Sequence, residues 1–221
     1  FLVLLVLLDI LYLYLMRILS CFFLLQGALS FAPLHSNKHK SSITARFVAS
    51  KAAPDVSSDV QKLYDLFNAQ ITNEFSASHL YLAASIWCEE KEFVGMASWM
   101  RSESDDERSH ALSLVDFANK RDIPIQLKDI PAPTSNWDTL EALWSDLLEC
   151  EKSNTQSLYA VADAAQTAHD HAITTILQPF HSEQVESEGQ LKTILAKVRE
   201  ENLTPGLVYQ LDTELGNGVS K

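Results

Sequence analysis

Five side chains that can bind or orient a divalent cation, Glu74, Glu107, His110, Glu151 and Gln184, stand where helical spacing calls for apolar residues. In the stripe Met96, Met100, Glu103, Glu107, His110, Leu114, Phe117 the steps alternate between three and four, the spacing that faces a bundle core. Phe67, Glu74 and Tyr81 fall seven apart on one segment; Leu140, Trp144, Leu147, Glu151, Leu158 and Ala162 share a stripe on another. A fourth runs Ile173, Leu177, Phe180, Gln184, Ser187, Leu191, Ile194, Val198. Buried carboxylates without partners cost several kcal/mol each, so these need cations or protons. A divalent metal pair answers that need, and carboxylate oxygens with one imidazole suit iron better than the thiolate-loving metals. The alternative is a satisfied polar layer that fixes helix register.

Taken alone, Glu107-x-x-His110 shows only that two ligands share a face. Depth adds the rest. Glu74 and Glu107 are 33 residues apart, and so are Glu151 and Gln184. If the hairpins turn midway, near Glu90-Lys91 and Thr167-Ala168, both pairs lie about 25 Å from their turns at about 1.5 Å per residue.

The elements that must position them are helices. From Ser57 to about Glu90 no Gly or Pro interrupts apolar positions recurring through Leu63, Phe67, Ile71, Leu80 and Ile86, which predicts a long first helix. A second runs from about Glu92 to Arg121, and Pro124, Pro131 and Pro133 mark a connection too long for a tight hairpin. A third starts with Asn136 as N-cap and reaches about Ala168; a fourth runs from about His169 to Glu201 with a kink at Pro179. Thr204-Pro205 offers an N-cap and N1 proline for a short fifth helix ending near Gly216. No strand alternation is visible. Two helical hairpins joined by a long crossover predict an all-α, ferritin-like four-helix bundle with a short C-terminal helix.

Composition sets the remaining bounds. The 221 residues carry 17 basic and 29 acidic side chains, net −12. Residues 1–54 hold five Lys/Arg against Asp9, so the remainder carries −16. Such a body repels nucleic acid and anionic membrane and attracts cations. Three cysteines, Cys21, Cys88 and Cys150, lack C-x-x-C spacing, excluding a disulfide framework and a thiolate zinc site. Cys88 and Cys150 read as buried small hydrophobes without a redox role.

Residues 1–30 form an apolar leader ending in Ala28-Leu29-Ser30, which reads as a cleaved secretory signal, a membrane anchor being the other reading. Residues 31–54 are rich in Ser, Ala, Lys and His and free of Asp and Glu, the signature of an organelle transit peptide. Joined at Ser30-Phe31-Ala32-Pro33, the two resemble the bipartite plastid-targeting leaders of diatoms and related algae. That resemblance implies a mature chain from about Ala52, working in a plastid, with the secretory pathway as the alternative and no membrane contact after the leader is removed. Residues 55–221 form the helical domain.

That domain resembles the catalytic, H-like ferritins of eukaryotes and diatoms over about residues 57–216. The resemblance rests on Asn73-Glu74-Phe75 leading to Leu80-Tyr81, the run Glu103 to His110, Val115 to Arg121, and Pro131-Ala132-Pro133. It continues through Glu149-Cys150-Glu151-Lys152, Pro179 to Val185, and the closing Thr204-Pro205-Gly206-Leu207. It implies that Glu74, Glu107 and His110 bind the first of two irons per subunit, with Glu107 bridging. Glu151 then binds the second, and Gln184 positions its water. Tyr81 matches a tyrosine that donates an electron during oxygen reduction; the plainer reading is a core aromatic with a satisfied hydroxyl. The implied chemistry is oxidation of Fe(II) by dioxygen and storage of ferric oxyhydroxide inside a homo-oligomeric 24-subunit shell.

Departures from the family pattern narrow this. Ser187 stands where bacterial-type ferritins place a third-iron glutamate, so a third site would draw on Glu103, Glu183 or Glu186, which otherwise are solvated charges. Gln184-x-x-Ser187 replaces the second Glu-x-x-His of bacterioferritins and diiron oxygenases. Arg108 replaces the methionine of haem-binding relatives, which implies no haem. Thr174 and Leu177 replace the acids of the animal three-fold channel, leaving the His169-Asp170-His171 turn as another iron route or else an ordinary solvated turn. The acidic nucleation cluster thins to Asp106, with Ser109 and Leu112 following, which points to fast oxidation with poor mineral retention. An oxygenase of the same fold and a catalytically silent shell subunit are the competing functions.

Overall fold

The computed structural model describes residues 57–200 and 206–218. The leader residues 1–54, and with them the targeting reading, lie outside the described residues. Five helices follow in order: α1 Ser58–Glu90, α2 Val94–Lys120, α3 Leu140–Thr167, α4 His171–Glu200 and α5 Leu207–Gly216. No strand is present among the described residues, and none of their helices is long and apolar enough to cross a membrane.

Local chemistry sets the boundaries. The Ser57 hydroxyl caps α1 by accepting from Val60 N–H at 3.4 Å. The chain reverses after α1 through Glu92, at φ 63°, and α2 begins at Val94, two residues later than the spacing predicts. α3 is capped by Thr139, whose Oγ1 accepts from Ala142 N–H at 3.1 Å, and not by Asn136. Between the two, Trp137 is buried and its Nε1–H donates to Asp146 at 2.7 Å, which holds residues 136–138 out of the helix. The turn into α4 passes through His169 at φ 55°, and Asp170 accepts from Ile173 N–H at 3.1 Å, so the helix starts at His171 and runs on through Pro179 to Glu200. α5 begins after Gly206, at φ 97°, a left-handed position that suits glycine; the expected Thr204-Pro205 start falls among residues not described.

The long crossover is fastened where it leaves α2. Asn68 of α1 donates to Pro124 O at 2.9 Å and accepts from Gln126 N–H at 2.7 Å. Arg121 grips Asp170 through two hydrogen bonds of 3.0 and 2.9 Å. α1 packs against α2 and α3, α3 against α4, and α5 closes one end against α2 and α4.

Two apolar clusters fill the bundle. One, around Leu63, Phe67, Leu114, Leu158 and Ile173, lies toward the start of α1. The other, around Tyr81, Met96, Met100, Trp144 and Leu191, carries α5. Between them on every long helix comes a polar stretch: Gln70 to Ser78, Glu103 to Glu107, Glu151 to Thr155, and Gln184. The fine detail of the expected seams shifts. Ile86 is 50% exposed, and Leu80, Phe117, Leu140, Ala162 and Ser187 are only partly buried. Their arcs drift off the core because a straight helix turns 3.6 residues, not 3.5.

Candidate metal centre

The polar layer is built by four helices that each bring one or two groups to a common depth. Glu74 on α1 and Glu107 and His110 on α2 each offer a ligand atom, and these three lie within 4.8 Å of one another. α1 and α2 are clasped there by reciprocal bonds, Ser78 hydroxyl to Ser104 O at 2.7 Å and Ser104 hydroxyl to Ser78 O at 2.8 Å. The clasp lets the two carboxylates meet. Opposite, Glu151 of α3 accepts from Tyr81 Oη–H at 2.6 Å and from Gln184 Nε2 of α4 at 2.9 Å. Gln184 also donates to Glu151 O at 3.1 Å, tying α4 to α3 at this level.

His110 is held from both sides. Its Nδ1 faces Glu107 Oε2 at 3.2 Å, its Nε2 faces Glu183 Oε2 at 3.0 Å, and the Phe180 ring lies against it, centroids 5.3 Å apart. Nδ1 is the nitrogen turned toward the Glu107 carboxylate, where it would ligate a cation on giving up its proton, while Glu183 faces Nε2 and orients the ring.

Electrostatics show a site made for positive charge. Burial raises Glu74 well above the usual carboxylate range, and the neighbouring Glu107 raises it further. Burial also raises Glu107 and Glu151, although His110 beside the first and Tyr81 and Gln184 beside the second pull back. Burial would lower His110, but the hydrogen bonds to Glu107 and Glu183 outweigh it and push it up to about 10. Tyr81 is raised by burial and by Glu151. In the metal-free protein, protons therefore do the neutralising that a cation would do.

Every sequence-predicted residue can now be placed. Glu74, Glu107, Glu151, Gln184 and Tyr81 are buried in one layer, with His110 partly exposed at its edge. Of the residues considered for a third site, Glu103 is buried and its charge helps to raise Glu151 and Tyr81. Glu183 orients His110, and Glu186 is exposed, outside the cluster. Cys88 is buried and Cys150 only partly so, against the expectation for the latter; burial pushes both thiols up to about 12.

Three participants were not foreseen. Gln70 Nε2 donates to Glu74 Oε1 at 2.6 Å and to Asn154 Oδ1 at 2.6 Å, while Asn154 Nδ2 reaches Glu74 Oε2 at 3.2 Å. Both Glu74 oxygens are thus held by amides. Thr155 links Gln184 to Glu188 at 3.2 and 2.9 Å. The available signal was spacing: Gln70 precedes Glu74 by four, and Asn154 and Thr155 follow Glu151 by three and four.

A four-helix bundle with a buried carboxylate and imidazole cluster at mid-depth defines a metal-handling helical protein. The family profile of the ferritin-like domain matches residues 64–200, and the chain belongs to the ferritin family. It is similar to the crystal structure of apo-ferritin from Pseudo-nitzschia multiseries, at 50% identity and a TM-score of 0.67, covering 69% of this chain and 98% of that one. An iron-soaked crystal of a PmFTN point variant matches equally, at 50% identity and TM-score 0.67 over 69% and 98% of the two chains. Among curated relatives, the bacterial non-heme ferritin of Bacteroides fragilis is 30% identical over 156 residues, 71% of this chain and 97% of its own length. That of Staphylococcus haemolyticus is 30% identical over 131 residues, 59% and 79% of the two chains.

Proposed function

We propose that the protein is a ferroxidase and iron-storage subunit that takes Fe(II) and dioxygen as substrates. The observation that carries this reading is the buried grouping of Glu74, Glu107 and His110, their ligand atoms within 4.8 Å of one another. Glu107 interacts electrostatically with both Glu74 and Glu151, which suits it to bridge one Fe(II) held by Glu74 and His110 and a second held by Glu151. Gln184, donating to Glu151, positions that carboxylate and the water beside it. Binding displaces the protons of Glu74 and His110. Two Fe(II), one dioxygen and two protons then give two Fe(III) and one hydrogen peroxide, and the ferric product moves on to hydrolyse as oxyhydroxide.

The competing readings are weighed on the same residues. A silent shell subunit would lack the Glu74, Glu107 and His110 cluster. An oxygenase needs an organic-substrate pocket at the metal. A cavity of about 350 Å³ lies beside the layer, against Asn73, Leu80, Pro133, Cys150 and Asn154, but none of the five candidate ligand residues lines it.

Stopped-flow addition of two Fe(II) per chain in air to residues 52–221, followed by ferric absorbance, tests the activity. Fast oxidation that is lost in the double variant Glu107→Ala, His110→Ala supports it; equal slow rates in both sink it. We further infer a closed 24-subunit shell and a plastid location, the first from family membership and the second from the leader at residues 1–54. Sedimentation of the mature chain as a monomer or dimer would refute the shell. Retention of a fluorescent fusion of residues 1–54 outside the plastid of an alga would refute the location.

A further inference from the structure

The ferroxidase reading leaves two features of the core without a role. Trp144 is fully buried, and its Nε1–H has no acceptor. Buried indoles ordinarily find one, and an orphaned donor inside a packed core calls for a reason, redox function among them. The second feature is continuity. The Trp144 and Trp99 ring centroids are 5.5 Å apart, those of Trp99 and Tyr81 are 6.2 Å apart, and Tyr81 donates to Glu151 at 2.6 Å. Three oxidisable rings in contact therefore lead from the metal layer into the adjoining apolar cluster, where water scarcely reaches them.

The metal layer itself is lopsided. Glu74, Glu107 and His110 bring three ligand atoms within 4.8 Å of one another, whereas Glu151 stands outside that group. When iron is scarce, the grouped side fills first and a single Fe(II) sits alone. That iron supplies one electron, but hydrogen peroxide, the product of fully loaded subunits, needs two to become water. With only one available, the by-product is hydroxyl radical.

We propose that Trp99 and Trp144, acting through Tyr81, supply the missing electron, so that the oxidising equivalent is stored as an indole radical and no hydroxyl radical is released. The inference rests on the ferroxidase reading. One hydrogen peroxide, one Fe(II), two protons and one neutral indole give one Fe(III), two waters and one indole cation radical. Tyr81 gives its electron to the site while its proton passes to Glu151 along their hydrogen bond. Trp99 then reduces Tyr81, the proton returns, and Trp144 shares the hole. With no acceptor facing its N–H, Trp144 keeps its proton, and the hole waits as a cation radical. A later Fe(II) at the site returns the electron and leaves as Fe(III).

Freeze-quench electron paramagnetic resonance tests this on the wild-type protein, loaded anaerobically with one Fe(II) per chain and mixed with equimolar hydrogen peroxide. The expected signal narrows when the protein carries ring-deuterated tryptophan, a test that needs no substitution. Trp99→Phe confines the radical to tyrosine and raises the hydroxyl-radical spin adduct several-fold, and Trp144→Phe shortens the life of the indole signal. A signal blind to tryptophan deuteration, or adduct yields unchanged in Trp99→Phe, overturns the relay. Oxidation of two Fe(II) per chain by dioxygen, run on the same wild-type sample, separates the two readings: failure there overturns both, and success without an indole radical overturns the relay alone.

Discussion

The same substitution, glycine to alanine, has opposite expected effects at two helical positions. At Gly95, in the first turn of α2, an added Cβ would overlap the Asp212 carbonyl oxygen of α5 and lie 2.7 Å from its carbon; facing it, a Cβ on Gly216 would come within 2.9 Å of Gly95 Cα. Helix propensity favours alanine, but the two backbones are in contact and neither can retreat cheaply. Relief requires α5 to lift, uncovering Val208, Leu211 and Leu215 and breaking the Asp212 carboxylate bond to Met96 N–H at 2.8 Å. At about 1.5–3 kcal/mol per buried side chain, full undocking would cost about 4.5–9 kcal/mol. Partial re-seating and a compact unfolded chain reduce this, and about 3 kcal/mol is expected for Gly95→Ala. Gly189, on α4, has nothing within 4 Å of an added Cβ, so Gly189→Ala should stabilise by about 0.5–1 kcal/mol. Urea unfolding of metal-free protein, followed by circular dichroism at matched concentration, measures both. A Gly95→Ala protein as stable as wild type, or a shift of the same sign at both sites, would refute the reasoning.

Other expectations follow from the metal layer and the crossover. Folded-state values raised above unfolded ones mean that Glu74, Glu107 and Glu151 bind protons the unfolded chain has released, so their contribution falls as pH rises above about 4.3. His110, raised to about 10, contributes fully below its unfolded value and loses that contribution as pH climbs through about 10. Melts of metal-free protein should therefore weaken from mildly acidic to alkaline pH; a rise over that range would contradict the assignment. Zn(II), as a probe that does not oxidise, should release protons on binding, His110 being one source, read as a dependence of calorimetric heat on the buffer used; no dependence would count against it. Tyr81→Phe leaves Glu151 Oε1 without its donor and should cost about 1–3 kcal/mol while leaving iron binding measurable. Asn68→Ala removes the bonds to Pro124 and Gln126 and should cost about 2 kcal/mol and expose residues 122–130 to proteolysis; unchanged protection would show that the bonds do not hold the crossover.

Much of the fold and of the site is legible in the sequence, and the parts that are not share a cause. Alternating steps of three and four placed Glu107 and His110 on the core face, and equal 33-residue spacings put Glu74 opposite Glu107 and Gln184 opposite Glu151. Those are consequences of helix geometry, which local sequence dictates. The α3 cap moved from Asn136 to Thr139 because burial of Trp137 and its bond to Asp146 override a good capping residue. Likewise, nothing local tells that Gln70 meets Asn154 across 84 residues, or that Trp144 faces Trp99. Side-chain partners between helices depend on the rotation of each helix, which spacing specifies only to within part of a turn. Ile86 shows the same limit: its spacing suits a core stripe, yet the outer face of α1 is where it lies.

The most direct test of the ferroxidase reading is anomalous diffraction at the iron edge from crystals of residues 52–221 soaked briefly in Fe(II). It predicts one strong peak among Glu74, Glu107 and His110 and a second, weaker one between Glu107 and Glu151. Iron bound elsewhere, with that buried layer still carrying only protons, would contradict it.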